Sequence, residues 1–318
     1  MRTHAFLLSF GLLLSCSEER NVLPYENGTL LWVNSTHSDL AIKKAVKEAL
    51  EHSSIITAQI TWSPTDADFF QNAAWYFNLA KDHGKGFMLN IDWQSSDRLS
   101  TNGDWSFEDS RTAELFKRDV VRLVRTYNPD YLNMGVEANY YALTEPEGFR
   151  AYAIMFRELK IDLLKLKPQL KVGLSYQLEL LYGHHDEWSR SQSHRTLDVL
   201  LGDIDFLGIS TYPNIAKLEH HTVVSSLEYI DSLTQKYAVP IGISETGVDR
   251  NIYTIDQRCL YVKTVFEKAK NLHLEFVVWG SIMDAQQNRD WSNRIGLLDL
   301  NGNPKDELTV WKIANSAY

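Results

Sequence analysis

The chain has 318 residues, 44% hydrophobic and 23% charged, with 41 Asp and Glu against 32 Lys and Arg and a formal charge of -9. That composition suits a folded chain with a large core, in one or two domains. An acidic balance without clustered Lys and Arg excludes a nucleic-acid partner, and no repeat or block of like charge suggests an array or a tail.

The first element is an address. Arg2 precedes "AFLLSFGLLLS", an apolar run too short to span a bilayer and shaped like the core of a signal peptide. It ends in "LLSC", which resembles a bacterial lipobox, with Cys16 as the residue left to be lipidated. We therefore expect a signal peptide at 1–15, a lipidated tether at 16–27 and a folded domain at 28–318. The acidic "SEER" that follows resembles surface-export signals of some bacterial lipoproteins. The predicted location is the bacterial cell envelope, on the outer membrane or cell surface, held by acyl chains without a spanning helix. Removing Cys16 leaves Cys259 as the only thiol, in a predicted helix, so no intrachain disulfide is expected. A buried, inert thiol fits that position.

From Gly28 onward strand and helix alternate. The predicted strands are "TLLWVN" (29–34), "SIITAQITW" (54–62), "GFMLNIDW" (86–93), "DYLNMGV" (130–136), "KVGLSYQ" (171–177), "IDFLGIS" (204–210), "VPIGISE" (239–245) and "LEFVVWG" (274–280). Amphipathic stretches such as "DLAIKKAVKEALEH" lie between them. Eight strand–helix pairs in about 290 residues is the count of a TIM barrel. A doubly wound sheet would normally carry a Gly-rich phosphate turn after an early strand, and none is present. On the second strand Thr57, Gln59 and Thr61 share one face, as polar residues lining a barrel mouth would. The third, fifth and eighth strand-to-helix loops are long, the material of a binding cleft.

Two carboxylates stand at matched places: Glu137 after the fourth strand and Glu245 at the end of the seventh. Buried carboxylates are costly unless something uses them. Two facing one another across a mouth can break a glycosidic bond, one ionised and attacking, the other protonating the leaving oxygen. Met134, Val136, Tyr140 and Tyr141 around Glu137 predict desolvation that keeps it protonated. The flat faces of sugars stack on aromatic rings, which directs attention to Trp62, Trp93, Trp105, Trp188, Trp279 and Trp291, with Asp92, Gln177 and Asp284 as polar partners. "HHDE" at 184–187, with His220 and His221, is the one metal-like cluster, but no HxH or HExxH accompanies it. No GxSxG elbow is present. No metal or cofactor is expected.

These residues resemble a known family. "MGVEAN" and "ISETG" are similar to the fourth- and seventh-strand motifs of the clan A glycoside hydrolases, TIM barrels with an acid/base Glu and a nucleophilic Glu at those strands. "DFLGISTYP" resembles the sixth strand of the endo-β-1,4-galactanase group, where a Tyr bonds the nucleophile; Tyr212 matches. "FVVWG" resembles the eighth strand, whose Trp floors a sugar subsite; Trp279 matches. The resemblance implies retaining hydrolysis of a carbohydrate, with Glu137 as acid/base and Glu245 as nucleophile, in a monomer.

Two positions depart from that pattern. Val136 stands where the clan usually has an Asn that contacts the sugar 2-hydroxyl, and "TAQITW" shows no match for the usual second-strand Arg. Asn139, Asn90 and Gln177 are the available substitutes. The departures leave open a weakly catalytic barrel that binds surface glycans; a metal-dependent barrel hydrolase is a further alternative.

Overall fold

A computed structural model describes residues 24–32, 37–66, 69–103, 105–185, 194–216, 222–285 and 294–316. Its strands are β1 (Glu26–Leu30), β2 (Ile55–Thr61), β3 (Gly86–Asp92), β4 (Tyr131–Asn133), β5 (Lys171–Gln177), β6 (Phe206–Thr211), β7 (Ile241–Thr246) and β8 (Phe276–Trp279). All neighbours pair in parallel, in sequence order, and β8 closes on β1. This is the predicted TIM barrel. The folded part begins earlier than 28, because β1 runs Glu26–Leu30 rather than 29–34. Asn27 is clasped there by Ser54 and by Asn315 of the last helix.

The strands read as two faces because side chains alternate. The outward face carries Ile56, Ala58, Leu89, Ile91, Leu207, Ile209, Ile241 and Ile243 into one core cluster beneath the helices. The inward face of the closed end is a separate plug of Leu30, Ile55, Met88, Tyr131, Phe206, Phe276 and Val278. Gly242 makes room for that plug: a Cβ there would stand 2.5 Å from the Phe276 ring.

Above the plug the inward positions become polar: Thr57, Asn90, Asn133, Ser175 and Ser244, all buried. Gly208 sits between Ser175 and Ser244, 2.9 and 3.0 Å from where its Cβ would be. Thr57 Oγ1, Gln59 Oε1, Asn90 Oδ1 and Ser244 Oγ make no hydrogen bond within the protein. Each such group costs about 1–3 kcal/mol. A layer this expensive belongs under a working mouth rather than in a structural core.

Candidate active site

The mouth is assembled from the next residues along each strand. On β3 the alternation Met88, Asn90, Asp92 delivers Asp92 to the rim, and on β6 the alternation Phe206, Gly208, Ser210, Tyr212 delivers Ser210 and Tyr212. On β7 plain alternation fails. Ile241 and Ile243 face outward, so an unbroken strand would turn Glu245 outward as well. The register slips instead: Ile209 pairs with Ile243, then Ser210 pairs with Glu245. Ser244 is the extra residue of a β-bulge, and the bulge re-aims Glu245 into the mouth.

Glu137 arrives by a different route. β4 stops at Asn133, four residues before it, and the chain turns across the rim. Asn133 Nδ2 donates to Ser175 Oγ at 3.1 Å, and the Glu137 N–H donates to the same oxygen at 3.1 Å. Gln94 Nε2 donates to the Val136 and Glu137 carbonyls at 2.6 and 3.2 Å. These bonds hold Glu137 at φ 50°, a left-handed conformation rare for a residue with a Cβ. Strain of this kind persists only where surrounding contacts impose it, commonly at working sites.

One residue of the mouth was not visible in the sequence. Arg98, on the loop after β3, places Nη1 2.7 and 2.9 Å from the two Asp92 oxygens and Nε 3.1 Å from Glu137 Oε2. Burial opposes its charge, but Asp92 and Glu137 more than offset that and hold it protonated. The other Glu137 oxygen, Oε1, accepts from the buried Ser210 hydroxyl at 2.6 Å. Gln59 approaches Asp92 at 3.4 Å.

Glu245 lies within the field of this cluster. Its carboxyl is pushed up to about 8, first by burial and then by the charge of Glu137, against the Tyr212 hydrogen bond and Arg98. Tyr212 is itself raised well above the ordinary phenol by burial and by Glu245. Tyr212 and Glu245 thus lie close enough to perturb one another. The expected apolar surroundings of Glu137 are absent. Met134 and Tyr141 turn into the outer core, Tyr140 donates to or accepts from His185 Nε2 at 2.7 Å, and Glu137 faces a guanidinium and a hydroxyl.

Five expected sugar contacts are corrected by their placement. Trp93 is wholly buried, its N–H on the Met134 carbonyl and its ring among Phe107, Tyr141 and Tyr152. Trp279 is 1% exposed and donates to the Ile295 carbonyl, so it offers no free face. Asn139 and Gln177 form a reciprocal clasp, amide to backbone, at 2.9 Å each way, and Gln177 Oε1 caps the helix Leu178–Leu181. Asp284 is ion-paired with Lys305 at 2.7 Å and Arg250 at 3.1 Å and fixes the loop after β8.

Trp62 and Trp105 pack edge to face beneath the third loop. Trp188, Trp291, His220 and His221, Asp186 and Glu187 of the "HHDE" stretch, and Cys16 lie outside the described residues. His184 and His185 are bonded to Tyr229 and Tyr140. Among the described residues one trio has metal-donor spacing, Glu48, Glu51 and His52, and it sits on the outer helix Asp39–His52, away from the mouth. Among the described residues the exposed indoles are Trp32, just past β1, and Trp75, in the first turn of the helix Ala74–Asp82. Both stand at the mouth end of the barrel, joined by Tyr76, whose hydroxyl donates to the Leu31 carbonyl. No amphipathic signal distinguishes them from core tryptophans in the sequence.

No family model matches the chain, and no curated protein matches it by sequence. Solved structures match its fold across nearly its whole length. A GH5_18 protein of Bifidobacterium longum subsp. longum, solved in complex with Manb1-4GlcNAc, superposes with a TM-score of 0.71 at 14% identity, over 92% of this chain and 78% of that one. A beta-glycosidase from Pyrococcus horikoshii gives 0.65 at 14%, over 92% and 94%. A psychrophilic glycoside hydrolase family 10 endo-beta-1,4-xylanase gives 0.64 at 12%, over 91% and 96%. The chain thus has the TIM-barrel fold that these clan A glycoside hydrolases share.

Proposed function

We propose that the protein is a retaining glycoside hydrolase acting on an extracytoplasmic poly- or oligosaccharide, with Glu137 as acid/base and Glu245 as nucleophile. The observation that carries this reading is the convergence of two carboxylates, from the turn after β4 and from β7, on one mouth, close enough for the charge of one to shift the other, with Tyr212 beside Glu245. In the first step a Glu245 oxygen bonds the anomeric carbon while the glycosidic bond breaks and its oxygen takes the proton from Glu137. Water then attacks that carbon, gives its proton to Glu137 and releases Glu245. The Manb1-4GlcNAc bound in the GH5_18 structure agrees with a carbohydrate substrate. The likeness to the endo-β-1,4-galactanase group rests on the sequence motifs. Trp32 and Trp75 replace Trp93 and Trp279 as the rings offered to sugar faces.

The raised Glu245 and the guanidinium on Glu137 also favour a second reading, in which the two roles are exchanged. Aryl glycosides decide between them, once a panel of plant and microbial glycans has identified the sugar. Under the first reading Glu245→Gln abolishes turnover on every substrate. Glu137→Gln spares aryl glycosides with good leaving groups in the first step and slows poor ones by about 10²–10⁴-fold. Azide then rescues Glu137→Gln and yields a glycosyl azide of retained configuration. Azide rescue of Glu245→Gln in place of Glu137→Gln exchanges the roles, and so does an inverted glycosyl azide from Glu137→Gln, because azide then takes the place of a lost nucleophile in a single displacement. A glycan that binds without turnover in the wild-type protein would leave a surface binding barrel.

A further inference from the structure

Resting on that assignment of Glu137, we propose that Arg98 is a positioning residue that latches Glu137, and that the latch must open before glycosidic bond cleavage. The argument is geometric. A general acid must present one oxygen, with its proton, to the leaving group. Glu137 Oε1 points into the barrel wall at Ser210, which is fully buried, at 2.6 Å. The remaining oxygen, Oε2, is ion-paired with Arg98, whose Nε lies 3.1 Å away. While both contacts hold, the oxygen that must turn to the leaving group with its proton is the one the guanidinium covers.

The same residue is built to let go on one side only. Its Nη1 bonds both Asp92 oxygens, at 2.7 and 2.9 Å, whereas its hold on Glu137 is a single, longer contact. Rotation about the Asp92 anchor frees Oε2 while the guanidinium keeps its charge partner. The carrier fits this motion. Arg98 sits at φ 62° in the loop after β3, whose ends are tied by the Gln94–Thr101 bridge and by Ser95 to Ser100. The charged and titratable groups facing it are Asp92 on β3, Glu137 after β4, Tyr212 after β6 and Glu245 on β7. Three carboxylates thus share one cation. With Arg98 turned away, the guanidinium no longer covers the oxygen from which Glu137 must give its proton, while Glu245 attacks as the ionised partner.

The test has two arms on the full folded domain. In the first, carboxyls are labelled with a carbodiimide and glycine ethyl ester at one fixed pH, and Glu137 modification is followed by peptide mass spectrometry. Arg98→Gln should label Glu137 several-fold faster than wild type, and Arg98→Lys, which keeps a cation beside Asp92, should fall between them. Equal rates in all three would overturn the latch. This arm needs no substrate, so it stands apart from the Glu245→Gln experiment that tests the hydrolase reading. In the second arm, on the glycoside found by the panel, Arg98→Gln should move the basic limb of the kcat/KM–pH profile to higher pH. A loop merely damaged by the substitution would lower kcat at every pH and leave that limb in place, which counts against the proposal.

Discussion

At the scale of single residues, the mouth shows how little of a side chain's role is written in its type. Glu137, Glu179 and Glu245 all follow strand ends, and each meets a different environment. Glu179 is the one the proposed chemistry does not use. It is 1% exposed, with one oxygen taking the Thr211 hydroxyl at 2.7 Å and the other unpartnered. Burial raises it from the usual 4.5 to about 7. A carboxyl raised in the folded state stabilises the protein while it is protonated in that state and ionised in the unfolded one. Its contribution is full below about 4.5 and is lost as pH rises through about 7. Wild-type Tm should therefore fall between pH 5 and pH 8, and Glu179→Gln should flatten that slope. Glu245, raised in the same direction, adds to the slope and remains in the variant. Identical pH dependence of Tm in wild type and Glu179→Gln would show that Glu179 is already ionised at pH 5. Asp284 gives a contrasting case. It is raised by burial yet flanked by Lys305 and Arg250, so Asp284→Ala strands two cations and should cost about 3–5 kcal/mol in denaturant titration.

At the scale of elements, eight strands, their order and most of their bounds were legible, because alternation and apolar runs report burial directly. "KVGLSYQ" is β5 residue for residue, Lys171–Gln177. What the pattern hides is any place where the backbone departs from its period. Glu245 was assigned to the mouth by its strand-end position matching that of Glu137, although its two-residue spacing from Ile241 and Ile243 points it to the outer face. The Ser244 bulge resolves the conflict, and a bulge has no compositional signature on so short a strand. Arg98 was missed for a related reason. A second-strand arginine belongs on β2, whereas this guanidinium enters from a loop 37 to 43 positions beyond the residues of that strand, a tertiary fact. Tryptophans failed most plainly, since an indole near a strand end is equally suited to pack a loop or to meet a sugar. A direct check on the bulge is deletion of Ser244. Removing the extra residue places Glu245 directly after Ile243 and opposite Ser210, where plain alternation already turns it inward, so turnover should survive while the Tm falls by only a few degrees, a shift matching about 1 kcal/mol. Loss of turnover in a folded deletion variant would show that the bulge does more than set which way Glu245 faces.

At the scale of the whole molecule, the barrel gives the proposed anchor a direction. β1 enters at the closed end, beside the plug of Phe206, Phe276 and Tyr131, and the carboxylates lie at the other end. A chain tethered ahead of β1 therefore presents its closed end to the membrane and its mouth to the medium, the orientation a polymeric glycan requires. Between Cys16 and Glu26 the nine residues 17–25 reach at most about 30 Å. That length holds the barrel near the surface without burying the mouth in it. No helix among the described residues is long and apolar enough to cross a membrane, so attachment through Cys16 would rest on acyl chains alone. Each buried methylene contributes about 0.8 kcal/mol, one chain binds only marginally, and stable anchoring takes two signals. The -9 charge supplies no attraction to an anionic leaflet, so the second signal must be further acylation rather than a basic patch. Expressed with its leader in a bacterium that processes lipoproteins, wild type should fractionate with membranes, and its mature N-terminal peptide should carry acyl mass on Cys16. Cys16→Ala should move the protein to the soluble fraction with specific activity unchanged, because the anchor lies at the end of the barrel opposite Glu137 and Glu245. Unaltered membrane fractionation of Cys16→Ala, or a mature N-terminus elsewhere than Cys16, would remove the lipid anchor while leaving the barrel chemistry as argued.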